Sequence, residues 1–142
     1  MILFSDILNN TLILKQVLYT VLSAEEVKKL DDACDKLVEH PKVRFAGVIN
    51  DRGNMVAGDI KTGIKLYDTD ARRKMRFNEL VLEHSMRKED DDILGSISFI
   101  ASKREKVLMI SIPMGEHLII ISAEPDSSVS EVTGLCGKLF GL

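Results

Sequence analysis

Tryptophan is absent from this sequence, and two tyrosines and five phenylalanines are its whole aromatic complement. That leaves little with which to stack nucleobases. A net charge of −3 also lacks the basic excess that general nucleic-acid binding requires. Cysteine is almost as scarce: Cys34 and Cys136 are the only two, both at apolar helical positions and with no C-x-x-C spacing. They read as core-facing thiols of a reducing, cytoplasmic compartment. A G-x-x-x-x-G-K-[ST] phosphate loop is missing, so the chain is not expected to be the nucleotide binder of any complex it joins.

Nor does the Leu- and Ile-rich start, MILFSDILNNTLILKQVLYTVL, hold an unbroken apolar run. Asp6, Asn9, Asn10, Lys15 and Gln16 interrupt it, whereas a membrane span needs about 18 clean residues. It has no basic n-region and an acid at position 6, which argues against a secretory signal. Leu3, Ile7, Leu14, Val17 and Val21 recur at three- and four-residue intervals, the stripe of an amphipathic helix over residues 1–22. That helix would dock on the rest of the chain, pair with another chain, or lie on a membrane surface.

What is present builds one domain over residues 23–142. Ser23 followed by Glu26 is a capping-box pattern, and Val27, Leu30, Cys34, Leu37 and Val38 form the buried stripe of the helix it starts. Pro41 ends that helix. A hairpin follows over Val43–Ile60, turning at Asp51-Arg52-Gly53-Asn54. After a loop over 61–68, a long helix runs from Thr69 to Arg87 into the acidic run Glu89-Asp90-Asp91-Asp92. Three strands are expected at Leu94–Ser102, Val107–Ile112 and Leu118–Ala123, then a last helix carrying Val129, Val132, Leu135, Cys136 and Leu139. VLMISI and LIIISA are apolar almost throughout and must be covered on both faces. The order α-α-β-β-α-β-β-β-α therefore predicts an α+β, three-layer domain, a five-stranded antiparallel sheet with helices on both faces.

The texture GVIN-DRGN-MVAG, and the meander KVLMISIPMGEHLIIISAEPD with its acid and Pro before the final helix, resemble the roadblock/dynein light chain family over about residues 24–142. Profilin-like, longin and PAS/GAF domains share this outline. The run from Arg76 to Ala123 is similar to an uncharacterised archaeal domain family of unknown function. The roadblock resemblance implies a homodimer whose sheet or crossing helix pairs across a two-fold. It also implies a platform for Ras-like small GTPases or a scaffold subunit.

The crossing helix carries two apolar stripes, Ala71, Met75, Leu82 and Met86 on one face and Phe77, Leu80, Val81 and His84 nearly opposite. One covers the sheet; the second, Phe77, Leu80, Val81 and His84, is assigned to the dimer interface that the family places on this helix. Arg72, Arg73, Lys74 and Arg76 sit near its start, where positive charge opposes the macrodipole. They are assigned to partner binding, against the simpler reading of ion pairs with Asp68 and Asp70. Helices crossing antiparallel would set this basic start against the acidic end of a second copy.

Catalysis is not expected. His40, His84 and His117 share no metal-ligand spacing, and Glu83-His84 lacks H-E-x-x-H. His40 would cap a helix carbonyl. Asp90, Asp91 and Asp92 lack the rest of a calcium loop, and Ser96, Ser98, Ser102, Ser111 and Ser122 lack a nucleophile elbow. No cofactor or metal is expected. The competing reading is a PAS/GAF-type sensory module with a small ligand between sheet and crossing helix, lidded by loop 61–68 and Tyr67. Against it, the central strands offer almost no polar cavity lining besides Ser111 and Ser122. A third reading makes the N-terminal helix a recruiting element that docks in another chain's groove.

Overall fold

The structure, a computed structural model, describes residues 22–142. The amphipathic helix expected over residues 1–22 therefore falls outside the described residues, Leu22 excepted. Helix α1, Ala24–Val38, starts as its capping box requires, with Ser23 Oγ accepting from the Glu26 amide at 3.1 Å. It leads into β1, Val43–Ile49, and β2, Met55–Ile60, an antiparallel hairpin. The organising residue of the turn is Asn50, whose Oδ1 accepts from the amides of Arg52 and Asn54, both at 3.0 Å. Gly53 then takes φ 72, which a Cβ would strain.

Helix α2, Asp70–Arg87, is capped by Thr69 and followed by a 3₁₀ turn, Lys88–Asp90, and a single-turn helix α3, Asp91–Leu94. Strands β3, Ile100–Lys103, β4, Leu108–Met114, and β5, His117–Ala123, form the meander, and α4, Val129–Phe140, closes the chain. The five strands order as β2-β1-β5-β4-β3 and every pairing is antiparallel. Both almost continuously apolar strands are central, as their composition requires. The α+β fold, its sheet and its element order are those expected.

Helices α1 and α4 cover one face of the sheet and α2 crosses the other. On the first face Cys34, Leu37, Val48, Ile119, Ile121 and Cys136 belong to one continuous, nearly water-free core. Neither cysteine forms a disulfide and both are buried there, where burial pushes the Cys136 thiol up to about 12. The α2 face has a thinner core of Ile49, Phe77, Leu118 and Ile120.

Two local expectations need correction. β3 begins at Ile100 and not at Leu94, because Asp91–Leu94 winds into α3. Continuing the β3–β4 register also brings Ser98 opposite Pro113, which has no N–H to donate. His40 caps no helix carbonyl. Its Nε2 hydrogen-bonds Glu131 Oε1 at 2.9 Å, tying the α1–β1 turn to α4.

The hairpin turn is the abutment for α2: a Cβ on Gly53 would meet Asn78 Oδ1 at 2.3 Å and the Asn78 amide at 3.2 Å. At Gly115, φ 60, the same Cβ meets nothing. Gly115→Ala should therefore cost only the left-handed backbone penalty, about 1 kcal/mol, while Gly53→Ala should cost about 2–3 kcal/mol because strain and clash add. Urea unfolding of the two variants checks the difference, and equal losses would show that the turn does not bear on α2.

Candidate functional site

Helix α2 has an inner and an outer side, and the sequence-based assignment of them reverses. Phe77 is 5% exposed and His84 8%, both turned onto the sheet. The Phe77 ring stacks on Phe45 of β1 with centroids 6.4 Å apart, and half-buried Leu80 and Val81 pack beside it. Phe77, Leu80, Val81 and His84 are thus the sheet-facing stripe, and a subunit interface made by them would strip the protomer's own core. The outward stripe is Met75, Leu82 and Met86, exposed at 63%, 60% and 64%.

Three of the four members of the basic cluster are engaged within the chain. Asp68, in the loop before α2, accepts from Arg73 at 3.2 Å and from Arg76, and Arg73 also reaches Asp70 at 3.0 Å. Burial alone would raise the Asp68 carboxyl, but the hydrogen bonds and charge of Arg76 and Arg73 outweigh it and hold its pKa below the ordinary carboxylate value. Lys74 Nζ donates to the Arg52 carbonyl at 2.7 Å and to Asn54 Oδ1, clamping the helix to the hairpin turn. Arg72 is exposed and makes no side-chain ion pair among the described residues.

At its other end α2 is fastened by one buried polar contact, His84 Nε2 to Ser111 Oγ of β4 at 2.7 Å. Burial depresses the His84 pKa; Glu83 opposes that shift and Arg87 adds to it. The imidazole is accordingly held neutral.

Between these fastenings a groove opens under α2, with a volume of about 910 Å³. Sheet register explains it. Across the strands, Ser102, Met109, Ser122 and Phe45 lie in one row on the α2 face, and Ile100, Ser111, Ile120 and Gly47 in the next. Three serines and a glycine are too small to fill the space beneath a crossing helix. A Cβ on Gly47 would meet the Phe45 ring at 2.8 Å, so that ring lies down over the glycine instead of standing up toward α2. Ser111 and Ser122, the polar lining that the sequence did allow these central strands, both line the groove. At its mouth Tyr67 lies 4.5 Å beneath the Arg44 guanidinium, and Arg44 also pairs with Glu124 at 3.1 Å. Among the described residues no group of His, Cys, Asp and Glu could hold a metal ion, and no helix is long and apolar enough to cross a membrane.

A family model described as "Family of unknown function (DUF6659)" matches residues 22–137. No curated protein matches the sequence significantly. The fold is similar to that of the gliding protein MglB from Thermus thermophilus, with a TM-score of 0.70 at 11% identity, covering 84% of this chain and 89% of that one. A Roadblock/LC7 domain from Streptomyces avermitilis gives 0.62 at 11% identity, covering 79% and 92%. A Schizosaccharomyces pombe profilin gives 0.55 at 12%, covering 78% and 92%. At such identities the likeness is one of fold, and the fold is roadblock-like with a profilin-like outline.

Both fastenings weaken as pH falls, but in different windows. A His84 pKa below 6.5 means that its contribution is full above pH 6.5 and declines as pH falls beneath that value. Urea midpoints measured at about pH 7.5 and 5.5 should fall for the wild type and fall less for His84→Gln. The depressed Asp68 carboxyl contributes at neutral pH and loses its contribution only below 3.8. Asp68→Asn should therefore be less stable than the wild type at neutral pH, with the gap closing in acid.

Proposed function

We propose that this chain, which belongs to the DUF6659 family of unknown function, is a non-catalytic roadblock-like module that pairs with a second copy of itself and docks a Ras-like small GTPase. The observation that carries the pairing is the outward face of α2. Met75, Leu82 and Met86 form an apolar stripe on a helix whose inner face is already occupied, and exposed Ile93, Leu94 and Phe99 follow between that helix and the sheet edge. Single exposed apolar residues need no explanation, whereas three at helical spacing on one face of a helix are the pattern of an interaction surface.

A two-fold axis beside α2 would bury this stripe against its own copy. Among the described residues β3 is an edge strand, and an antiparallel copy of itself could extend the sheet there across the same axis. Charge complementarity supports the arrangement less than the sequence alone suggested. Among the described residues, only Arg72 of the basic cluster is left without an intrachain partner to meet the second copy's acidic run over 89–92.

The assembly reading has further support in a solved MglB described with a tetrameric arrangement. The GTPase reading rests on the roadblock resemblance together with the missing phosphate loop, which leaves nucleotide binding to the partner.

Light scattering at micromolar concentration should give a dimer for the wild type and a monomer of unchanged secondary structure for Leu82→Glu/Met86→Glu. Phe77→Asp should instead unfold the protomer, since Phe77 is core. A pull-down from native lysate with a non-hydrolysable GTP analogue should recover a P-loop GTPase on wild-type bait and lose it on the double variant. A wild-type monomer would refute the pairing, and a dimer that recovers no GTPase would refute the docking.

A further inference from the structure

We propose that the groove under α2 is a binding site for a small organic anion with an apolar body, such as a medium-chain carboxylate. Its volume, about 910 Å³, lies in the range of roughly 300–1,000 Å³ typical of small-molecule sites. Half-buried Phe45 and Met109 give the floor its apolar part, and Ser102 and Ser122 place hydroxyls along the same row. Ser111 is already held by His84. An apolar floor with a few convergent polar groups is what fixes an amphiphile in one orientation.

Charge selects the sign of the ligand. The chain as a whole carries −3, yet seven arginine and lysine side chains line the groove against three carboxylates, Asp68, Glu79 and Glu83. Asp68 is consumed by Arg73 and Arg76. Arg72, Arg104 and Lys106 have no carboxylate partner among the described residues. Lys106 Nζ lies 6.0 Å from the centre of the Tyr67 ring, which Arg44 also covers. Cations gathered around a low-dielectric cleft repel one another until an anion enters, and the cleft focuses their field on it. The apolar body would rest on the sheet and the anionic head at the Lys106, Arg72 and Tyr67 mouth. Of the outward stripe only Met75 also borders the groove, while Leu82 and Met86 do not, so the Leu82/Met86 pair probes the outer face separately.

The test uses the full chain and anilinonaphthalenesulfonate as the fluorescent anion, with decanoate as competitor and N-phenylnaphthylamine as the uncharged analogue. One saturable site per chain, displaced by decanoate, is expected, with the uncharged probe bound about tenfold more weakly. Arg72→Gln/Lys106→Gln should weaken the anionic probe by about tenfold and leave the neutral one unchanged. Ser122→Leu should fill the floor and weaken both. Should Ser122→Leu not fold, the charge pair decides alone, since both its residues are exposed. Absence of saturable binding, or binding indifferent to the Arg72/Lys106 pair, would overturn the proposal. So would binding lost in Leu82→Glu/Met86→Glu, which would put the probe on the outer face of α2, or a groove closed to probe in the dimer but open in the monomer, which would make its occupant a second copy of the chain.

Discussion

Everything in this molecule depends on a sheet whose central strands must be kept from water on both faces, and on the unequal way the chain does it. β1, β5 and β4 turn Val48, Ile119, Ile121 and Ile110 to a side sealed by two helices. On the other side a single helix crosses, and its apolar contact with the sheet is confined to Phe77 and its neighbours around Ile49, Leu118 and Ile120. Polar fastenings supply what packing does not. Lys74 holds the hairpin turn, Arg73 and Arg76 hold Asp68, and His84 holds Ser111. A helix fixed at a few points bridges the sheet instead of sealing it, so an open groove beneath and an apolar stripe outside are two results of one arrangement.

The architecture was legible because it follows from local signals. Ser23, Thr69 and Ser128 stand where helices begin and each accepts from the amide three residues on. The apolar runs from Val107 and from Leu118 could only be central strands. What was illegible depends on partners far away in sequence. Nothing within 94–99 says that Pro113 waits across the ladder, and His40 finds Glu131 only after α1 and α4 have been laid side by side. Asn50 is a subtler case. The turn residues 51–54 were plain, but the side chain that holds them lies one position earlier, at the end of a strand.

For α2 the sequence supplied two stripes but not their direction. Helical periodicity places Phe77 with His84 and Met75 with Leu82 equally well, and the family resemblance alone assigned the first set to an interface. Registration against the sheet decides otherwise. Ser111 sits opposite Ile120 and Ile100, within reach of a ring descending from α2, and only a buried imidazole satisfies that hydroxyl. The same register put Ser102 and Ser122 in one row around Met109. Counted along single strands they look like isolated polar residues; across the sheet they are a shallow floor.

The basic start of α2 shows how a local electrostatic conflict can be resolved without a partner. Four cations in the first two turns oppose the helix dipole at a cost of about 0.3–1 kcal/mol each when exposed. Exposed ion pairs return about the same amount, so surface chemistry alone would leave the question open. Asp68 is not exposed: it sits half-buried just before the cap, and its carboxylate faces both guanidiniums and the positive end of the helix. A single acid so placed offsets the repulsion between Arg73 and Arg76 and gives the dipole the charge it favours, while Lys74 turns away to backbone oxygens. Of the four, only Arg72 has no such engagement among the described residues. Three residues that resembled an invitation to a partner are the means by which the chain holds its own crossing helix, and Arg72, the one left over, lines the groove beside Arg73 and Arg76.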